Sequence, residues 1–579
     1  MISRVKQLVR ARWEAYSRGP FPTLLRVFLG RVFHGGGDSG SGELDIALGV
    51  IFILLAMPGV LVSLLLFEKY MVLSFGGFDP FIATIPDEYF FIVLSMVVTG
   101  AAAVWRWDAL FLDRRDYTNI VPLPISLRRI FLGNLAAILL LAIALIVDVN
   151  AASFVLFPVA VVGSQVSLKV LFLQFAAGHA VAVVLASVFS FFAVFATIGL
   201  LLAILPYALF RRISLYVRFL IALFFLGLLA TDFAVTSFLA QLTRISKSAV
   251  TMLPPVWFLG IGQTLWGNGH NPFYAAMART ALLALGISLA VAILSYALSF
   301  RRAFIRIPES AEVGPLPRSQ FHFLPVKLFD RILLRDPPER ACFHFISRTL
   351  LRSEAHLQTA SAFVAIGLVL AAQSLASVFH PITSVADFLR LPTADLLAIP
   401  FVLAFCIIIG IRLAFEVPAS LRSNWIFALW IEPNTLETRA IARKILLTFS
   451  LVPLVPFCLL SSFLLWDAAI ALLHTLIFAA CTIAFVEVLL LRFRKIPFTC
   501  SYPPFHSHSA LIFVAYLFGF VFFTSYLPAL ELWCLAELWR PILFVPLLAV
   551  PFAAVHFYRK QMLDMDKHLI FEENSASSF

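Results

Sequence analysis

Along this chain, a run of about 20 apolar residues is repeatedly followed by a polar break and then by another such run. A stretch of that length satisfies its own backbone hydrogen bonds as a helix and matches the roughly 30 Å hydrocarbon core of a bilayer. Twelve runs stand out, over about 45–67, 89–105, 130–150, 171–205, 219–237, 276–299, 359–379, 394–415, 445–465, 468–491, 510–532 and 541–557. The fold class that follows is all-α: a polytopic integral membrane protein of about 12 transmembrane helices in two six-helix modules. The fourth run is long enough to tilt, bend or protrude, and the ninth and tenth meet in a very short hairpin at Trp466-Asp467. Composition agrees. The chain is 61% hydrophobic and 13% charged, where a soluble domain averages about 45–50% and about 25%. The first run begins near Leu44, behind a basic leader, too late and too long for a cleavable signal peptide, so insertion without processing is expected.

The net charge of +11 reads as topology, not as a surface for nucleic acid. With the N-terminus inside, 35 of the 43 Lys and Arg residues fall on inner segments. Seven fall on outer ones (Lys69, Lys169, Arg244, Lys247, Arg279, Arg390 and Arg540), and Arg412 lies within a run. That bias places both termini in the cytoplasm. The expected order is a basic interfacial segment (1–44), a first six-span module (45–299), a basic cytoplasmic linker (300–358), a second module (359–557) and a cytoplasmic tail (558–579). Each module opens with a basic cytoplasmic segment and sets a polar cytoplasmic loop between its second and third spans. That shared layout suggests a parallel repeat. Arg outnumbers Lys by 34 to 9, a bias that suits a GC-rich bacterial genome.

The loop of the first module reads "DRRDYTNIVPLPISLRRIFLGN", from Asp113 to Asn134. Pro122 and Pro124 stop the preceding helix, Ser126 can cap a new one, and Arg128-Arg129 sit at headgroup level before the third span. Tyr117, Ile120, Val121 and Leu123 add apolar groups that suit a protein surface better than water. The stretch "LPISLRRIFLGNLAA" resembles the segment after the second span in permeases of type-2 class ATP-binding-cassette exporters. In that family a Leu-Pro-Leu/Ile-Ser-like turn forms the coupling helix. Arg-Arg, a hydrophobic pair and Gly-Lys-x-Leu-Ala follow; here Asn134 stands where the Lys is usual. Three further stretches are similar to the large two-module members of that class: "LPPVWFLGIGQTLWG" (Leu253–Gly267), "LRSNWIF" (Leu421–Phe427) and "RKIPFTCSYPP" (Arg494–Pro504).

The resemblance implies a transport subunit, not itself an enzyme, that exports cargo by docking a separate P-loop ATPase, with two copies for two modules. ATP would be bound by that partner, because this chain contains no G-x-x-x-x-G-K-[ST] stretch and no Gly-Lys at all. The docking residues would be Tyr117, Ile120, Pro122, Leu123, Pro124, Ser126, Arg128 and Arg129 in the first module. In the second they would be Trp425, Phe427, Glu432 and Leu436. The setting implied is a bacterial inner membrane, and the apolar spans favour a hydrophobic or amphipathic cargo. The alternative is a membrane assembly or scaffold subunit docking a partner that is no ATPase. A lipid-modifying enzyme would need catalytic groups clustered at one interface, and the sequence offers no such cluster.

Other features read more simply. Arg412 and Glu487 lie at matching depth near the inner ends of the eighth and tenth spans and are expected to pair across helices. Pro254, Pro255, Trp257 and Trp266 mark an outer segment expected to lie in, or dip into, the membrane boundary. Asp148, Asp232 and Asp467 read as solvated span ends. His179 and His474 read as hydrogen-bonded helix residues, not a haem pair. The six cysteines are scattered, with no zinc or disulfide pattern. "GIGQTLWG" follows no strand and is no dinucleotide loop. The glycine-rich 34–44 reads as a joint, and 5–16 as an interfacial helix or a disordered basic tail.

Overall fold

A computed structural model describes residues 20–34, 41–76, 80–107, 122–163, 172–239, 249–267, 270–309, 337–379, 392–417, 435–491, 496–499, 509–535 and scattered single positions as far as 557. Among the described residues no strand occurs, and eleven helices are long and apolar enough to cross a membrane. The protein is therefore an all-α, multi-pass membrane protein. The run at 541–557 lies mostly outside the described residues. The chain forms two compact units, Met1–Arg318 and Ser319–Phe579, each with its own apolar core.

The first unit contains α1 (Pro20–His34), α2 (Ser41–Gly76), α3 (Ile85–Trp105), α4 (Leu127–Gly163), α5 (Phe172–Ile204), α6 (Tyr207–Leu239), α7 (Pro254–Trp266) and α8 (Pro272–Glu309). The second contains α9 (Pro337–Arg352), α10 (Glu354–Phe379), α11 (Ala394–Ala414), α12 (Thr435–Leu465), α13 (Ala468–Leu489), α14 (Ser509–Val521) and α15 (Leu527–Leu535). A single π turn, Phe522–Tyr526, joins α14 to α15. At 33 residues α5 is about 50 Å long. It exceeds the hydrocarbon thickness, as its run length implied.

In each unit the second span is the central helix. In the most apolar stretch of α3, 72% is buried, and in that of α11, 78%, whereas in α2 and α10 only 22% is. The peripheral helices turn Leu61, Leu64 and Leu65 on α2, and Leu460 and Leu464 on α12, outward. Such faces fit hydrocarbon, where apolar exposure carries no penalty. Hydrogen bonds tie the first unit together within its core. Asn150 of α4 donates to the Ser187 hydroxyl of α5 at 3.3 Å, and Ser95 of α3 donates to the Asn150 side-chain carbonyl. Asn, Ser and Thr serve this role between spans because a lone polar group in hydrocarbon is costly.

Two expectations shift. The second span begins at Ile85, not at 89. Pro86 fits the first turn, whose N–H groups have no partner in the helix, and Asp87 and Glu88 complement its positive end. The segment 300–358, read as a linker, holds the end of α8 and all of α9, which packs against α10 and α12. The boundary between the two units falls inside it.

Candidate functional site

The turn before α4 is built by its prolines. Pro122 and Pro124 carry no backbone N–H, so the chain cannot continue as a helix there. The Ile125 N–H donates to the Leu123 carbonyl at 2.7 Å, and the Ser126 carbonyl accepts from Arg129 at 2.9 Å, opening α4. Pro122, Leu123, Pro124, Ser126, Arg128 and Arg129 are all exposed, Leu123 by 48%. Ile125 turns the other way, onto a small cluster made by Leu24 and Phe28 of α1 with Ile130 and Ala137 of α4. Thus α1 braces the turn from behind and leaves its apolar tip outward. Asn134, at the one departure from the family pattern, is fully buried. Its amide donates to the Tyr296 hydroxyl of α8 at 2.9 Å and to the Leu110 carbonyl at 3.3 Å. Tyr117 and Ile120 lie outside the described residues.

In the second unit Trp425, Phe427 and Glu432 also lie outside the described residues, and Leu436 is in the first turn of α12. Ile496–Thr499, from "RKIPFTCSYPP", packs beneath the end of α11. Phe498 is buried and takes φ 69°; its N–H donates to the Phe415 carbonyl at 3.2 Å, and its carbonyl accepts from Ala419 at 3.0 Å. His356 reaches the Val417 carbonyl at 2.8 Å and sits 4.3 Å from the Phe498 ring.

Arg412 and Glu487 do not pair. Arg412 binds Glu416, one turn on along the chain, and lies 4.8 Å over the Phe493 ring. Glu487 takes Arg443 at 2.9 Å, with Arg439 at 4.0 Å. The cause is the length of α12. It begins at Thr435, ten residues before the apolar run, and so brings two arginines to Glu487 ahead of Arg412.

Pro254 and Pro255 start the 13-residue α7, which packs among α3, α5 and α8. Trp266 is 1% exposed and 4.3 Å from Phe175, whereas Trp257 is half-buried and donates to the Thr251 carbonyl at 2.9 Å. Glycines make this approach possible. A Cβ on Gly260 would stand 2.6 Å from that of Met277 in α8, and one on Gly178 of α5 would stand 3.0 Å from the Gly262 carbonyl oxygen.

This half-length helix covers a carboxylate. Glu88 is 2% exposed and accepts from the Gln263 side-chain amide at 2.7 Å, while its Oε1 has no hydrogen-bond partner among the described residues. Beside it in sequence, Asp87 binds Lys69 and the Tyr70 hydroxyl at 2.7 and 2.6 Å, joining α2 to α3. His179 is buried with neither ring nitrogen hydrogen-bonded among the described residues, its ring 4.9 Å from Phe157 and 5.5 Å from Phe91.

The second unit holds a counterpart. His474 Nδ1 lies 2.7 Å from Glu531 Oε1, both buried, with Trp466 edge-on to the imidazole at 5.9 Å. Thr475 lies 3.8 Å from Cys458 Sγ nearby. Glu531 follows the π turn, a feature that often marks function. Glu88, Gln263 and Glu531 were not anticipated from sequence. The available signal was an acid inside, or one residue outside, an apolar run. Among the described residues no three His, Cys, Asp or Glu side chains cluster as metal ligands, and Cys342, Cys406, Cys458, Cys481 and Cys534 are free and buried.

Compared with protein-family models, with curated proteins and with solved structures, the chain matches none.

Proposed function

We propose that this protein is the membrane-spanning permease subunit of an ATP-binding-cassette exporter. It would move a hydrophobic or amphipathic cargo across a bacterial inner membrane, with both termini cytoplasmic and a separate P-loop ATPase docked beneath it. The observation that carries this reading is the turn Pro122–Ser126. It presents Leu123 to solvent between two spans, with Arg128 and Arg129 beside it and α1 bracing it from behind. An exposed apolar tip on a braced turn suits a lever: a partner that changes shape on binding ATP can push it and rock the spans joined to it. The basic character of the same segments supports the orientation.

The test is co-purification of the tagged full chain in mild detergent, with and without ATP. A stoichiometric P-loop ATPase should accompany the wild type and be lost from Leu123→Asp, with the thermal stability of the chain unchanged. A stable chain that brings down no ATPase, or a partner indifferent to Leu123, would overturn the reading in favour of a scaffold subunit.

A further inference from the structure

Helix α9 has two unlike faces. Cys342, Phe343, Ile346 and Leu350 are buried in the core of the second unit. The other face lines a shallow, open groove of about 610 Å³, in which His344, Arg348 and Arg352 follow one another at four-residue spacing and Phe345 and Thr349 form the adjoining row. Residues four apart on a helix stand one above the other, so the two guanidinium groups rise from neighbouring turns.

Neighbouring cations are already engaged. Arg340 donates to the Leu334 carbonyl at 2.9 Å, Lys444 binds Glu339, and Arg443 and Arg439 hold Glu487. Arg348 and Arg352 are exposed and have no carboxylate partner among the described residues. The groove also sits at a defined depth. Arg352 ends α9 and the apolar span of α10 begins at Ala355, three residues on, with the Ser353 N–H still bonded to the Thr349 carbonyl at 2.9 Å. With the span entering the bilayer at Ala355, the arginines fall at its boundary.

We propose that this groove is a binding site for the phosphate of an anionic phospholipid. Two guanidinium forks one turn apart can each donate paired hydrogen bonds to phosphate oxygens, and Thr349 supplies a hydroxyl beside them. Phe345 and Ala341 give the glycerol and the first acyl carbons an apolar wall. The depth selects a lipid over a free anion, since the phosphate layer of the leaflet lies at the end of a span. The assignment is independent of the permease reading.

Native mass spectrometry of the full chain tests it, in detergent micelles doped equally with phosphatidylglycerol and phosphatidylcholine. Wild type should retain phosphatidylglycerol preferentially, and Arg348→Gln/Arg352→Gln should lose that preference by about tenfold or more, each boundary arginine contributing about 1 kcal/mol. Arg26→Gln/Arg279→Gln removes the same charge from exposed positions that form no such pair and should keep the preference. Equal loss in both double variants would reduce the effect to general attraction and overturn the site. Displacement of the lipid by inorganic phosphate would overturn the lipid assignment. Arg348→Lys/Arg352→Lys preserves charge where the glutamine variant folds poorly, and should fall between the two. Lysines that bind as well as the arginines would refute the paired guanidinium geometry.

Discussion

Each unit buries one carboxylate at the end where its second span begins, and each gives it a different partner. In the first, Glu88 in the opening turn of α3 takes an amide from Gln263 on the half-length α7. In the second, Glu531 on α15 takes the imidazole of His474 on α13, beside the cluster of Leu396 and Leu397 from the start of α11 with Trp466. An amide is a neutral donor that cannot take up a proton in this range, whereas an imidazole can gain or lose one. The first arrangement therefore pins the half-length α7 over the core, and the second joins two spans through a bond whose strength depends on where a proton sits. Similar positions in the two units need not do the same job.

Removing the imidazole should give the largest effect. His474→Ala leaves Glu531 buried with no partner, at a cost of about 3 kcal/mol, the scale of a lone carboxylate in a membrane. His474→Phe with Glu531→Leu, which removes both polar groups, should recover most of the loss. Thermal unfolding in one detergent checks this. A double variant no better than His474→Ala would show that the pair is not the unit of stability.

Gln263→Leu is the matching change in the first unit and should cost less, about 1–2 kcal/mol, because a neutral hydrogen bond between helices is lost. Glu88→Gln keeps an acceptor for the same amide and should cost under about 1 kcal/mol. If Gln263→Leu proved as damaging as His474→Ala, the contrast between the two units would collapse. Protease protection of α7 gives an independent reading, since its loosening should accompany Gln263→Leu and leave the second unit untouched.

The spans were legible because length and apolarity act locally. Eleven runs coincide with helices long and apolar enough to cross a membrane, and the prolines of the exposed turn declared themselves in the same way. The polar contacts were not legible, and the reason is geometric. Glu88 lies one residue outside the run as counted from 89, so the count of apolar residues passed over it. Its burial depends on α7 folding back through close approaches at Gly260 and Gly262. Those glycines looked like the debris of a nucleotide motif, when their meaning is the distance between helices. His179 was expected to hydrogen-bond a neighbouring helix, yet its ring sits among phenylalanines instead. Depth along a span can be counted from sequence, but the direction a side chain faces around it cannot.

Arg412 and Glu487 show the same lesson at the smallest scale. They match in depth and still belong to different partners, Glu416 and the Arg443–Arg439 pair. Arg412→Gln gives up a half-buried pair across the end of α11 and a ring contact, so it should cost about 1 kcal/mol or less in thermal unfolding. Exchanging the two residues sharpens the point. Arg412→Glu would set an acid against Glu416, and Glu487→Arg would set a third cation against Arg443 and Arg439. The exchange should therefore be at least as damaging as the two single changes together. Recovery on exchange would require a direct bond between the two positions, and would show that the arrangement of α11, α12 and α13 at this end differs from the one described.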